Sequence, residues 1–100
     1  MNPRQLEQMP RQMQKEMMRI QEELANTTVE GTAGSYVTVT MNGHREIKSI
    51  KLAPEVVDPD DVETLQDLIV AAIADANKKA QELAEQRLGP LAGGMKLPGF

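Results

Sequence analysis

The sequence predicts an α+β protein in which a helix, three antiparallel strands and a longer helix follow one another along the chain. This prediction rests on the spacing of apolar residues, which changes twice along the chain. Apolar side chains recur every three or four residues over 6–24, alternate with polar ones over 27–52, and return to the first spacing over 62–83. The outer patterns are typical of amphipathic helices and the middle one of half-buried strands. We expect an α-β-β-β-α protomer with a three-stranded meander, forming one domain over 1–88.

The first helix is predicted to run from about Pro10 to Ala25. Its apolar stripe is Leu6, Met9, Met13, Met17, Ile20 and Leu24. A proline inside a helix removes a backbone donor and clashes with the preceding turn. The helix therefore either begins at Pro10, or is joined there at a kink by a short helix over 3–9. We expect the stripe methionines to pack in the core or at a dimer interface, with Met18 pointing away from them.

The three strands are separated by glycine-containing turns. The segment "SYVTVTM" alternates cleanly and predicts a central strand with one inward face: Val37, Val39 and Met41. A turn near Gly34 precedes this strand. Asn42-Gly43 follows it and predicts a hairpin, because both residue types tolerate positive φ. The third strand is "EIKSIKL", with Ile50 and Leu52 expected to face inward if Ile47 lies at a twisted or edge position.

The second helix is predicted over 59–88. Asp58 is a good N-cap, and a proline and several acids follow it in positions that suit a first helical turn. Gly89-Pro90 is expected to end the helix. A helix of this length spans about 45 Å, whereas a compact domain of this size has a radius of gyration of about 13 Å. Its apolar stripe should therefore overhang the sheet and need a second subunit. We expect the Gly/Pro-rich tail, 89–100, to be flexible.

The composition argues against several classes of function. There are no cysteines and one histidine, which excludes a disulfide framework, a thiolate metal site and a cysteine nucleophile. We find no glycine-rich phosphate loop or serine elbow. The longest apolar run, 68–74, is too short to cross a bilayer. We therefore predict a non-enzymatic, soluble, cytoplasmic protein with no metal, no cofactor, no small-molecule substrate and no membrane partner.

Charge is unevenly distributed along a chain of net charge -4. Residues 1–20 carry four cations against two acids, whereas residues 53–88 carry nine acids against three cations. On a helical wheel, the cations of the first helix fall within an arc of roughly 80° opposite the apolar stripe. They are Arg4, Arg11, Lys15 and Arg19, and Gln8 and Gln12 lie beside them. Such a face can contact phosphates, or it can serve solubility alone, and the pattern leaves both interpretations open.

A second, weaker basic segment lies around the third strand. It contains Arg45, Lys48 and Lys51, with His44 before them. A lone histidine in a turn lacks the partners of a metal site or a catalytic triad. We therefore assign no role to His44.

Three stretches in this order resemble the YbaB/EbfC family of bacterial nucleoid-associated DNA-binding proteins. They are "QMQKEMMRIQEELANTTVEGTAGSYVTVTMNG", "IKLAPEVVDPDDVETLQDLIVAAIADANKKAQE" and "GGMKLPGF". The resemblance covers essentially the whole chain. It implies a tweezer-like homodimer whose paired amino-terminal helices project as arms implicated in holding DNA. The corresponding arm positions in this chain are Arg11, Lys15 and Arg19, with Arg4 towards the amino terminus.

We therefore predict a nucleoid protein that binds double-stranded DNA as a homodimer, with a role in nucleoid organisation or gene regulation. Binding is expected to rest on phosphate contacts from the first helix: Arg4, Gln8, Arg11, Gln12, Lys15 and Arg19. The alternative is a protein-interaction or chaperone-like adaptor whose helical arms hold a protein partner.

Overall fold

A computed structural model describes residues 10–92, with side chains described for residues 10–89. The elements are α1 (Arg11–Asn26), β1 (Thr28–Ala33), β2 (Val37–Asn42), β3 (Ile47–Leu52), a 3-10 turn (Pro54–Val56) and α2 (Val62–Ala92). The strands form one antiparallel sheet in the order β1-β2-β3. The predicted α-β-β-β-α order and the meander are confirmed.

Helix α1 begins directly after Pro10. The Pro10 carbonyl accepts a hydrogen bond from the Gln14 amide at 2.9 Å, so proline stands at the position where its missing N–H is not needed. The alternative of a short helix over 3–9 concerns residues outside the described range. At the other end, the Thr27 hydroxyl donates to the Glu23 carbonyl at 2.7 Å, a side-chain bond that competes with continuation of the helix.

Strand β2 supplies the centre of the core. Val37, Val39 and Met41 are 1 %, 0 % and 2 % exposed, so the predicted inward face is confirmed. The turn between β1 and β2 contains Gly34 at φ 57°, as its sequence predicts.

The hairpin between β2 and β3 forms, but not by the predicted mechanism. Its loop spans 43–46, and positive φ occurs at Arg45 (65°) rather than at Asn42 or Gly43. Asn42 is instead the fully buried last residue of β2. Its Oδ1 accepts hydrogen bonds from the amides of His44 (2.9 Å) and Glu46 (3.0 Å). The Asn42 side chain therefore closes a wider loop than the two-residue turn that Asn-Gly predicts.

Helix α2 lies directly against β1 and β2. Three alanines on its inner face, Ala72, Ala76 and Ala80, are 0 % exposed. A Cβ placed on Gly31 of β1 would lie 2.2 Å from the Ala76 nitrogen and 2.3 Å from the Ala72 carbonyl oxygen. Small residues on both sides therefore allow this close approach of the helix to the sheet.

Strand β3 is left uncovered. Ile50 and Leu52 pair with Val39 and Val37, which places them on the face that α2 covers over the other two strands. They are nevertheless 44 % and 36 % exposed, and Ile47 is 45 % exposed. The predicted inward direction of Ile50 and Leu52 is confirmed, but within the protomer α2 does not extend over β3 and leaves them partly exposed.

The predicted start of α2 at Pro59 is wrong, since the helix begins at Val62. The Asp61 carboxylate accepts a bond from the Thr64 amide at 3.3 Å and caps the helix. Asp58, the predicted cap, accepts instead from the amide two residues later and forms a separate turn. Several consecutive acids can serve as caps, and the sequence alone does not select among them.

The predicted end of α2 at Leu88 is also wrong, because the helix continues to Ala92. Pro90 lies in the last turn, where its missing N–H removes a single backbone hydrogen bond. The rest of the predicted tail, 93–100, lies outside the described residues. Within residues 10–92, neither helix combines the length and the hydropathy that spanning a bilayer requires.

Candidate nucleic-acid interface

The predicted DNA-contacting residues that the structure describes all lie on the outer surface of α1. Arg4 and Gln8 are outside the described residues. The four others are exposed: Arg11, Gln12, Lys15 and Arg19. On the opposite side, Ile20 and Leu24 are 4 % and 2 % exposed. We call the exposed set the basic face of α1.

The cations of the basic face form a regular row. Arg11, Lys15 and Arg19 follow at four-residue intervals, so successive side chains are about 6 Å apart along the axis and about 40° apart around it. Such a row can follow a strand of phosphates, because every member projects from the same side of one rigid helix.

The carboxylates beside Arg19 partly neutralise it. Its guanidinium contacts Glu16 one turn before and Glu23 one turn after, the latter at 3.3 Å. The hydrogen bond from Arg19 holds the pKa of the Glu16 carboxyl below its usual value. Glu23 also lies 3.5 Å from Arg87 of α2, which ties the helices together. A phosphate that binds Arg19 must therefore compete with two carboxylates.

Arg11 and Lys15 differ from Arg19 in their ion pairing. Within the part of the chain that the structure describes, neither makes an ion pair with a carboxylate. Both side chains are exposed, so an incoming anion can reach them without displacing a carboxylate of residues 10–89.

The β2–β3 hairpin holds the base of α1. The Gly43 amide donates to the Leu24 carbonyl at 2.8 Å, and Asn42 Nδ2 donates to the Ala25 carbonyl at 3.2 Å. A Cβ on Gly43 would lie 2.8 Å from Leu24 Cδ2, so a larger residue would push the hairpin away from the helix. These contacts satisfy carbonyls at the end of α1, which have no partner within the helix.

His44 contributes a third contact to this junction. Its Nε2 lies 2.9 Å from the Gln21 carbonyl oxygen. Because a carbonyl can only accept, this hydrogen bond requires a proton on Nε2. The sequence predicts no role for His44, because a histidine in a polar turn gives no signal of a contact with a distant helix.

The described residues contain no group of three or more histidine, aspartate or glutamate side chains placed to hold a metal ion. The candidate site is instead an exposed row of cations on a helix whose base is held by a hairpin. Its chemistry is that of a surface for polyanions.

Comparison with known proteins identifies the family. Residues 1–95 match the YbaB/EbfC DNA-binding family. The chain therefore belongs to this family, which confirms the resemblance seen in its sequence.

Individual relatives match over most or all of the chain. A "Nucleoid-associated protein" of Roseiflexus sp. (strain RS-1) is 98 % identical over 100 residues and covers 100 % of both chains. A protein with the same name from Chloroflexus aurantiacus (strain ATCC 29366 / DSM 635 / J-10-fl) is 65 % identical, over 96 % of this chain and 97 % of its own. The crystal structure of uncharacterized protein HP0035 from Helicobacter pylori superposes with a TM-score of 0.62 at 24 % identity, covering 85 % of this chain and 95 % of that one. The last comparison supports the fold alone.

Proposed function

We propose that this protein binds duplex DNA as a homodimer through phosphate contacts from the basic face of α1, and that it acts in nucleoid organisation or gene regulation. The exposure of Arg11 and Lys15 without carboxylate partners in the described range carries the proposal. Membership of a DNA-binding family supports DNA as the polyanion. The names of the Roseiflexus and Chloroflexus relatives support a location at the nucleoid, in the cytoplasm.

Phosphate neutralisation is the proposed mechanism. Each cation that contacts a phosphate releases a condensed counterion, so binding weakens as salt rises. Arg11 and Lys15 supply the main contacts, and Arg19 contributes less because it must first leave Glu16 and Glu23. Gln12 can donate to phosphate oxygens beside them. Arg4 and Gln8 extend this set as predictions.

The proposed homodimer rests on the exposed apolar side chains of β3 and of the segment that follows it. Ile47, Ile50 and Leu52 expose their side chains along an edge strand, and Val57 and Val62 are 53 % and 50 % exposed. Exposed apolar edge strands invite association unless they are covered. A second copy covering β3 would remove these side chains from water and would present two basic faces to one duplex.

Matched single substitutions test the phosphate contacts. Lys15→Gln and Lys78→Gln each remove one charge from an exposed helical position, but only the first lies on the basic face. Binding of a fluorescent duplex is measured by anisotropy from about 50 to 200 mM salt, the range over which phosphate-dominated affinity falls steeply. Lys15→Gln should raise Kd and flatten the dependence of log Kd on log salt. Equal effects of the two variants would mean that net charge alone matters and would contradict the assignment.

Light scattering on the same samples measures the mass in solution. A dimer supports the proposed assembly, whereas a monomer at micromolar concentration contradicts it.

The adaptor hypothesis keeps one specific observation in its favour. Met18 is 62 % exposed on α1, as expected from its position away from the stripe. An apolar contact there would tolerate or gain from high salt, whereas phosphate contacts would weaken. Met18→Gln separates the two functions, because it should disturb binding of a protein partner and leave duplex binding close to that of the unmodified chain.

A further inference from the structure

The hairpin at the base of α1 is the second positively charged region of the described chain. Residues 42–52 carry three cations against one acid, as do residues 11–21 of α1. By contrast, residues 53–75 carry seven acids and no cation. The two basic regions are in direct contact, since His44, Gly43 and Asn42 all bond to carbonyls of α1. The hairpin cations therefore lie close to the base of α1, which also carries the carboxylates Glu22 and Glu23.

Arg45 projects from this hairpin in an unusual backbone conformation. Its φ of 65° lies in the left-handed region, which glycine and asparagine adopt easily and long side chains rarely do. Such conformations persist where surrounding bonds determine them, and they cluster at functional sites. Here the Arg45 amide donates to the Asn42 carbonyl at 3.0 Å, and the Asn42 side chain holds the amides on both sides of Arg45. The loop therefore holds Arg45 in a fixed position.

The acid that follows Arg45 in the sequence does not form an ion pair with it. Glu46 is the one acid of the hairpin, and its Oε1 accepts a bond from Asn42 Nδ2 at 2.8 Å. That bond, with the nearby charge of Lys48, holds the pKa of Glu46 below its usual value. Within the described range Arg45 makes no ion pair, and its side chain is exposed. A strained position thus presents a guanidinium that forms no ion pair with any side chain of residues 10–89.

We propose that the hairpin is a second phosphate-binding surface for the same duplex, with Arg45 as its principal contact and Lys48, at the start of β3, as a second one. This inference rests on the proposed DNA-binding function. The hairpin bonds to Gln21, so Lys15 and Arg11 lie about 9 and 15 Å farther along the axis of α1. That separation is comparable with the major-groove width of about 12 Å. We therefore expect one duplex to contact the helix and the hairpin with phosphates on opposite sides of a groove.

Variants of Arg45 separate its charge from its backbone role. Arg45→Asn and Arg45→Gly both suit positive φ but lack the charge, whereas Arg45→Lys keeps it. Lys78→Asn is the matched control, a one-charge loss on α2. Circular dichroism before and after heating reports whether each variant retains its fold, and we expect the two neutral variants to be as stable as the unmodified chain or more so.

Duplex anisotropy is then measured over a salt series. If each dimer uses one or two copies of Arg45, the slope of log Kd against log salt should fall by about 0.9 to 1.8 in both neutral variants. Arg45→Lys and Lys78→Asn should keep the original slope. The inference is overturned if either neutral variant binds with an unchanged slope, or if Lys78→Asn shows the same loss. Failure of the unmodified chain to bind duplex would instead overturn the proposed function.

Discussion

Gly31→Ala should be among the most destabilising single-methyl changes in this protein. The added Cβ would lie 2.2 Å from the Ala76 nitrogen, 2.3 Å from the Ala72 oxygen and 2.6 Å from the Ala76 Cα. All three are backbone atoms, so no side-chain rotation can relieve the clash. Ordinary contact begins at 3.4 Å, which requires α2 to move away from β1 by roughly 1.2 Å.

The magnitude follows from what that movement disturbs. The fully buried face of α2 packs on this part of the sheet, and interiors at native density accommodate such shifts poorly. Overpacking typically costs about 1–3 kcal/mol, and a clash with backbone places this case at about 3 kcal/mol. For a domain of this size, about 3 kcal/mol corresponds to a Tm lower by roughly 12–24 °C.

Urea and thermal unfolding, followed by circular dichroism at one fixed protein concentration, measure this effect. The concentration must be fixed because association would itself change the apparent stability. Gly89→Ala is the control: its Cβ meets nothing within 4 Å, and alanine favours a helix by up to about 1 kcal/mol. A Gly31→Ala midpoint equal to that of the unmodified chain would refute the close approach of α2 to β1.

Three further changes test the charge and hydrogen-bond assignments. Glu16→Gln removes a competitor of phosphate at Arg19 and should lower the duplex Kd in anisotropy more than Glu63→Gln on α2 does. Asn42→Ala deletes four hydrogen bonds and should lower the free energy of unfolding in urea by about 2–4 kcal/mol. Hydrogen bonds from the Thr32 amide and from a lysine hold the pKa of Asp75 below its usual value of 3.8. The ionised carboxylate therefore stabilises the fold above pH 3.8, and this stabilisation is lost as the pH falls through the lower pKa of the folded state. Asp75→Asn keeps an acceptor without titrating and should lose less stability between pH 5 and pH 2.5.

Each of these expectations has a clear contrary result. Equal Kd changes for the two glutamate variants would mean that only net charge matters. An Asn42→Ala midpoint close to that of the unmodified chain would show that water replaces the lost bonds. If the unmodified chain and Asp75→Asn lose the same stability on acidification, the bond between Asp75 and β1 does not contribute to the acid sensitivity of the fold.

The helices and strands could be predicted because each is long enough for the spacing of its apolar residues to be recognised. Alternation over 37–41 identifies β2, and the three-and-four spacing identifies both helices. The ends of α2 could not be predicted equally well. Asp58 and Asp61 are both competent caps, and the choice between them depends on the path of the preceding turn. The exposure of β3 was also unforeseen, because periodicity shows which way a residue faces but not what covers it.

The candidate site was predicted only in part. Exposure of the described basic residues follows from the helical wheel and agrees with the structure. The pairing of Arg19 could have been anticipated, since Glu16 and Glu23 stand three and four residues away, where helical side chains meet. The contact of His44 with Gln21 could not, because it depends on how a hairpin docks on a distant helix.

The acidic composition is compatible with DNA binding because the charges are separated along α2. Arg87 contacts Glu23 of α1, whereas Asp67 lies twenty residues earlier and hence about 30 Å away along the helix. Residues 76–92, at the α1 end, carry three cations against two acids. At physiological salt the Debye length is about 8 Å, so charges about 30 Å apart are largely screened from each other, and we expect DNA at the α1 end to be little affected by the distant acids.

At about 0.01 M salt the Debye length rises to about 30 Å and spans that separation. Repulsion from the acidic end should then offset part of the phosphate attraction, and a plot of log Kd against log salt should flatten towards low salt. Neutralising Asp60, Asp61 and Glu63 together to their amides should restore a straight line. A line already straight for the unmodified chain down to 0.01 M would show that the distant acids do not act on bound DNA.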